Sequence, residues 1–406
     1  MRLSASVLAL SLLSPLAALA QTPPPAADTA PPGAPPAAPP PVAAPPPAPM
    51  AAPPPPAPVA PVVAPAPAAP PAKTWKDLVT FDGLVDAYYM YNFSGESSGM
   101  TSASLQGPAV RNFDLNSNTF TLSYAKVGLG VSGDNVGLRL DLGYGATGVV
   151  INNSGVGFSA GMTSPSAFAF VAQQAFVTLT PVENLTIDFG KFVTTAGAEV
   201  IEANKNWLYS RSLLFFAIPL VHTGLRLGYK VNDMVSLQAS VVNGWNGQGF
   251  EPDVNKDKTF GASVSLTVPG GLSLIPTVYI GKEGTSTDTR VLFDFVAAYS
   301  VGALGLNLNF DYVNDKAGGI DTFIGVAPMV HYVVGDHLSV SARGEYAQYK
   351  VMGATQKLEE FTLGAGVPMA GRFEFRPEFR MDFSDPAAYN SKKTQATLTA
   401  AFLAWF

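Results

Sequence analysis

The chain has 406 residues, no cysteine and a formal net charge of −6. Disulfide scaffolds, thiolate metal sites and cysteine nucleophiles are therefore excluded, and an acidic chain without a basic patch is no nucleic-acid binder. Hydrophobic residues make up 47% and charged residues only 13%, about half the charged share of soluble globular domains.

The first segment has the pattern of a secretory signal peptide. Arg2 gives a thin positive start, Leu3 to Leu13 an apolar stretch, and Ala18-Leu19-Ala20 a small-residue cleavage site, so residues 1–20 are expected to be removed on export. Residues 21–72 change composition abruptly: this window holds 24 of the 36 prolines, most of the rest is alanine, and Asp28 is its only charge. Such a segment cannot build a core and is expected to be disordered or polyproline II. At about 3.1 Å per residue it could reach on the order of 150 Å. It reads as a spacer, or as a tether to the cell wall or to a periplasmic partner.

Beyond residue 20 no run of about 18 apolar residues occurs, so no helix is expected to span a membrane. A closed β-barrel is the other structure that satisfies every backbone group inside lipid. Residues 73–406 carry its period-two signature. In the first expected strand Phe81, Val85, Ala87, Tyr89, Tyr91 and Phe93 alternate with Asp82, Asp86 and Asn92. Val136, Leu138, Leu140, Leu142 and Tyr144 stand against Gly137, Arg139, Asp141 and Gly143. Leu225, Leu227 and Tyr229 stand against Arg226 and Lys230, and Leu304, Leu306, Leu308 and Phe310 against Gly305, Asn307 and Asn309. The sharpest case is 372–383, where Arg372, Glu374, Arg376, Glu378, Arg380 and Asp382 interleave with Phe373, Phe375, Pro377, Phe379, Met381 and Phe383.

Tight turns are expected at 132–135, 181–184, 232–234, 269–271, 302–303, 335–337 and 370–371, mostly with the Gly, Asn, Asp or Pro chemistry that hairpins need. Longer connections lie near 94–112, 147–165, 194–220, 245–257, 283–289, 314–320, 351–356 and 385–392. Seven turns alternating with eight loops predict about sixteen antiparallel strands, with short periplasmic turns and long extracellular loops. Both termini, and with them the Pro-rich segment, then lie on the periplasmic side. The last strand, about 393–406, places Thr394, Ala396, Leu398, Ala400, Phe402, Ala404 and Phe406 on one face. An aromatic C-terminal residue there resembles the signal read by the bacterial barrel-assembly machinery.

Barrels of sixteen strands leave an aqueous channel. The inward faces carry Asp82, Asp86, Arg139, Asp141, Asp188, Arg226, Lys230, Asp294, Arg343 and Glu345 besides the 372–382 run, and a wet lumen of mixed charge suits passive diffusion of small hydrophilic solutes. The third long loop is unusually apolar, with Trp207, Tyr209, Leu213, Leu214, Phe215, Phe216 and Pro219 beside Glu199, Glu202, Lys205 and Arg211. It is expected to fold into the barrel and constrict the pore. The residues expected to line or constrict the pore are thus Arg139, Asp141, Glu199, Glu202, Lys205, Arg211, Arg226, Arg343, Glu345, Arg372, Glu374, Arg376, Glu378 and Arg380.

The run Gly190-Lys-Phe-Val-Thr194, Gly197, Glu199-Val-Ile-Glu202, Asn206, Tyr209-Ser-Arg-Ser-Leu-Leu-Phe215, Ala217-Ile-Pro219 and His222-Thr-Gly224 resembles the OmpL-like family of outer-membrane β-barrel porins. The resemblance implies a porin-like barrel and brings no substrate, cofactor or catalytic residue with it. Two other functions compete with a pore. An enzyme would need a nucleophile–base pair, yet the three histidines, His222, His331 and His337, form no triad spacing with Ser210 or Ser212, and His222 is better placed to orient the loop. A structural tether would use the barrel as an anchor for the Pro-rich segment, but an anchor has no need of a charged lumen. Expected partners are outer-membrane lipid and lipopolysaccharide, the assembly machinery, and identical subunits in a homotrimer.

Overall fold

The structure, a computed structural model, describes residues 78–94, 99–100, 111–153, 169–245, 255–283, 288–315, 320–351, 353–389 and 391–406. The expected signal segment and the Pro/Ala-rich segment lie outside the described residues. Sixteen strands close into one antiparallel barrel. They are β1 (Val79–Asn92), β2 (Phe120–Ser132), β3 (Val136–Gly145), β4 (Ala169–Val182), β5 (Leu185–Val193), β6 (Val221–Lys230), β7 (Val235–Val242) and β8 (Thr259–Val268), then β9 (Leu272–Lys282), β10 (Thr289–Val301), β11 (Leu304–Asp315), β12 (Ile320–Gly335), β13 (Leu338–Val351), β14 (Ala354–Ala370), β15 (Phe373–Asp385) and β16 (Thr394–Trp405). Each strand pairs with its neighbours in sequence, and β1 pairs with β16, Leu84 opposite Trp405 and Tyr89 opposite Ala400, so no edge is left open.

The alternation in the sequence becomes an inside-out distribution of polarity. On β3 Leu138, Leu142 and Tyr144 are exposed while Gly137, Asp141 and Gly143 are buried. On β15 Arg376, Glu378, Arg380 and Asp382 are buried while Phe379 is exposed. Aromatic pairs sit on the outside near strand ends, Tyr89 with Phe120 at 4.9 Å and Tyr144 with Phe170 at 5.1 Å between ring centres, the girdle position of a membrane barrel.

All seven tight turns form where the turn chemistry placed them. Gly271 has φ +95°, and a Cβ there would lie 2.1 Å from the Ser300 carbonyl oxygen, so only glycine fits. Gly302 takes the same left-handed region at φ +55° to turn β10 into β11. The opposite rim departs from an all-loop reading. A helix, α1 (Ala146–Asn153), follows β3 directly and buries Val149 and Ile151, because the apolar run at 146–151 gains more by packing inward than by standing in solvent.

Candidate functional site

The loop at 194–220 turns into the barrel. Its neck closes through the Thr194 amide, which donates to the Leu220 carbonyl at 3.1 Å. His222 stacks on Tyr279 at 4.7 Å and bonds Thr194 Oγ1 through Nε2 at 3.3 Å, so this histidine orients the loop as its sequence position suggests. Thr195 reaches the Tyr279 hydroxyl at 3.0 Å, and the Ala198 amide donates to Asn309 Oδ1 at 3.2 Å.

A loop without regular structure carries backbone donors and acceptors that cannot be left bare once buried. Charged side chains of β13 and β15 satisfy them. Arg376 donates to the carbonyls of Ala203 at 2.6 Å and Asn206 at 2.7 Å, fixing the 3₁₀ turn Ala203–Lys205. Arg343 donates to the Ser210 carbonyl and to Glu199, both at 2.9 Å, and Arg380 to the Arg211 carbonyl at 2.7 Å. The glutamates do the reverse. Glu378 accepts from the Tyr209 amide at 2.6 Å and the Ser210 amide at 3.1 Å, and Glu345 accepts from the Leu213 amide at 2.7 Å. Leu213 opens a five-residue helix, α2 (Leu213–Ala217), capped by Ser212 Oγ, which accepts from the Phe215 amide at 3.0 Å.

Ion pairs tie this wall together. Arg343 meets Glu345 at 2.7 Å and Glu360 at 3.0 Å, and Arg380 meets Asp382 at 2.7 Å. A second inward segment, 111–118, joins them. Arg111 pairs with Asp114, reaches Asp382 at 2.9 Å and Thr397 at 2.8 Å, and Phe113 packs on Phe215 at 5.9 Å. Sequence reasoning missed Arg111, Asp114, Lys126 and Glu360. For Arg111 and Asp114 the one available signal was a pair of opposite charges three residues apart in a connection whose only other charge is Glu96.

On the far side of the loop lies a cavity of about 480 Å³. Asp82, Lys126, Arg139, Asp141, Glu202 and Lys205 supply much of its charge, with Asp188 and Arg226 beside them. Arg139 holds Asp82 at 2.6 Å and Asp141 at 2.5 Å, and Arg226 holds Asp188 at 2.7 Å while lying 4.4 Å over the Phe192 ring. Glu202 takes a short bond from Lys126 and a longer contact, 3.8 Å, from Lys205. Burial alone would raise the Glu202 carboxyl, but the two ammonium groups hold it well below the usual carboxylate range. The most accessible charges are Lys205 and Asp82, with side chains 46% and 40% exposed.

The fourteen residues expected at the pore thus divide. Arg139, Asp141, Glu199, Glu202, Lys205 and Arg226 border the cavity. Arg211, Arg343, Glu345, Arg376, Glu378 and Arg380 are buried between loop and wall, and Glu374 partners Arg376 at 2.7 Å. These do not face open water, a revision of the expected wet face. Arg372 stands apart, exposed in the turn before β15. Among the described residues no group of three or more His, Cys, Asp or Glu is placed to hold a metal ion.

A family model described as "Putative beta-barrel porin-2, OmpL-like" matches residues 78–406. Comparison with curated proteins gives no match. Among solved structures the chain is similar to OmpF of Salmonella typhi in complex with daunomycin (12% identity, TM-score 0.56, 81% of this chain and 97% of that one). It is similar also to the outer membrane channel DcaP of Acinetobacter baumannii (15%, 0.53, 80% and 96%). A third is the trimer form of OmpT, an outer membrane protein of Vibrio cholerae (13%, 0.51, 81% and 99%). At these identities the likeness is one of fold.

Proposed function

The chain belongs to the OmpL-like family of outer-membrane β-barrel porins, and we propose that it passes small hydrophilic solutes by passive diffusion, beside an inward loop that constricts the lumen. The observation that carries this reading is the docking of residues 196–217 inside a sixteen-strand barrel next to a charged cavity. In this reading Arg139, Asp141, Glu202, Lys205 and Arg226 border the solute route. Glu199, Arg211, Arg343, Glu345, Glu374, Arg376, Glu378 and Arg380 set its width by fixing the loop. Conductance of the purified protein in planar bilayers tests the function, and deletion of 200–216 tests the constriction. A larger single-channel conductance in the deletion is expected; an unchanged one removes the loop from the mechanism. A silent wild-type bilayer moves the reading to an anchored envelope tether.

Further parts of the reading concern placement. The tight turns and both chain ends face the periplasm, where the Pro/Ala-rich segment acts as a spacer. The last strand, ending in Phe406, engages the assembly machinery. Three copies associate, as the Vibrio cholerae protein does in its trimer form. Crosslinking in outer-membrane vesicles tests the last point, with a single monomer band as the refuting result.

A further inference from the structure

Asp294 on β10 and Asp311 on β11 are cross-strand partners whose side chains both point into the barrel, and each is 0% exposed. Among the described residues no lysine or arginine forms an ion pair with either. Asp294 Oδ1 and Asp311 Oδ2 have no hydrogen-bond partner. The other two oxygens are served by one amide: Asn309 Nδ2 donates to Asp294 Oδ2 at 2.7 Å and lies 3.4 Å from Asp311 Oδ1. Two bare like charges buried face to face without a cation are strongly disfavoured, and one proton between them removes one of the charges and supplies the missing donor.

The pair sits under the neck of the inward loop. The Ala198 amide donates to Asn309 Oδ1 at 3.2 Å, and the amide nitrogen of the same side chain donates to Asp294. The surrounding elements bring little other charge. Opposite Asp294, β9 places Thr277; opposite Asp311, β12 places Gly325. From β13 Glu345 acts on Asp311, and it is itself paired with Arg343 at 2.7 Å.

We propose that Asp294 and Asp311 hold a single proton between them and form a pH-sensitive clasp for the neck of the inward loop. With the proton in place the pair carries one charge and can stay dry beneath the neck at Ala198. When the neck lifts, water reaches both groups and the shared proton passes to solvent. Docking therefore takes up one proton. It is strongest within the ordinary aspartate range, where the solvated pair also averages one proton, and weakens by up to about tenfold per pH unit above it, until the docked pair itself ionises.

The chain has no cysteine, so Ala198→Cys gives a single probe at the neck. Thiol labelling is followed from pH 5 to 8 in the otherwise wild-type barrel and in D311N, which mimics the protonated partner. The ratio of the two rates cancels the thiol's own titration and the effect of the other loop carboxylates. The expected ratio rises with pH, by at least about tenfold across the range. Infrared spectra should show a protonated carboxyl band at neutral pH that D311N and D294N each remove. A flat ratio overturns the clasp. Absence of the band overturns the shared proton, and labelling that then responds to added sodium or calcium assigns the site to a cation instead. Neither readout needs conduction, so a silent bilayer would defeat the pore reading and leave this one standing.

Discussion

Replacing Arg343 by methionine is the most direct test of how the inward loop is held. Its guanidinium, 1% exposed with the residue as a whole, contacts Glu199, Glu345 and Glu360 and donates to both the carbonyl and hydroxyl oxygens of Ser210. Methionine fills much of the same space but leaves Glu199 and Glu345 buried without their cation and Glu360 with only Arg380 at 3.9 Å, a change of about 3–5 kcal/mol for a broken buried pair. Undocking the loop lets water solvate those carboxylates, so the cost falls on the docking equilibrium and not on the barrel, whose β13 ladder to β12 and β14 is untouched. At about 1.4 kcal/mol per decade, the undocked fraction should rise by roughly 10²-fold to several thousandfold. A Leu208→Cys probe reads this, since Leu208 is buried against Gly364 and the chain has no other thiol. Maleimide labelling should accelerate by that factor while β-sheet circular dichroism stays unchanged. A labelling rate within twofold of the Arg343 parent would refute the view that wall arginines hold the loop.

Glu202→Gln should weaken docking by about 2 kcal/mol at pH 7, the scale of a hydrogen bond to a charged group. Because Lys126 and Lys205 depress the Glu202 carboxyl, its contribution is complete above the ordinary glutamate range. It fades only as pH falls below that range toward the folded-state value, so labelling rates of variant and parent should converge there and nowhere else. Leu308→Arg puts a charge on the outer face of β11, where Leu308 is exposed at mid-strand, and should cost about 2–4 kcal/mol in urea unfolding from vesicles if that face meets lipid. At Gly305 a Cβ would lie 2.8 Å from the Trp207 ring, which stacks on His331 at 5.2 Å. Gly305→Val should therefore lift Trp207 off the wall, at about 1–3 kcal/mol of overpacking, and shift its fluorescence; an unchanged spectrum would place the indole elsewhere.

The architecture was legible because a barrel strand has little freedom. Period-two alternation fixes which face meets lipid, and turn residues such as Gly270-Gly271 and Gly302-Ala303 mark the hairpins, so strand number followed from counting connections. The inward course of the third loop was legible too, since Leu213, Leu214 and Phe215 have no reason to be exposed. What escaped was everything decided by contacts between distant segments. Arg111 meets Asp382 across 271 positions of sequence, and Lys126 meets Glu202 across 76. Helix α1 escaped for another reason: eight residues without a charged face carry no periodic signal strong enough to separate them from a loop.

The charged face of β15 shows where alternation runs out as an argument. A strand that lines water and a strand that binds a buried loop both need polar side chains at every second position, so the pattern alone is silent between them. The side-chain types are less so. Arginine offers several donors in a rigid fork and glutamate two acceptor oxygens. An interleaved Arg–Glu face can therefore serve both the carbonyls and the amides of an irregular backbone, as Arg376 and Glu378 do for residues 203–210. Water would accept lysine, serine or asparagine equally well. On this argument the run from Glu374 to Arg380 is a seat for the loop, and in the reading proposed above solute selectivity would rest with the groups that keep accessible surface beside the cavity, Asp82, Arg139 and Lys205.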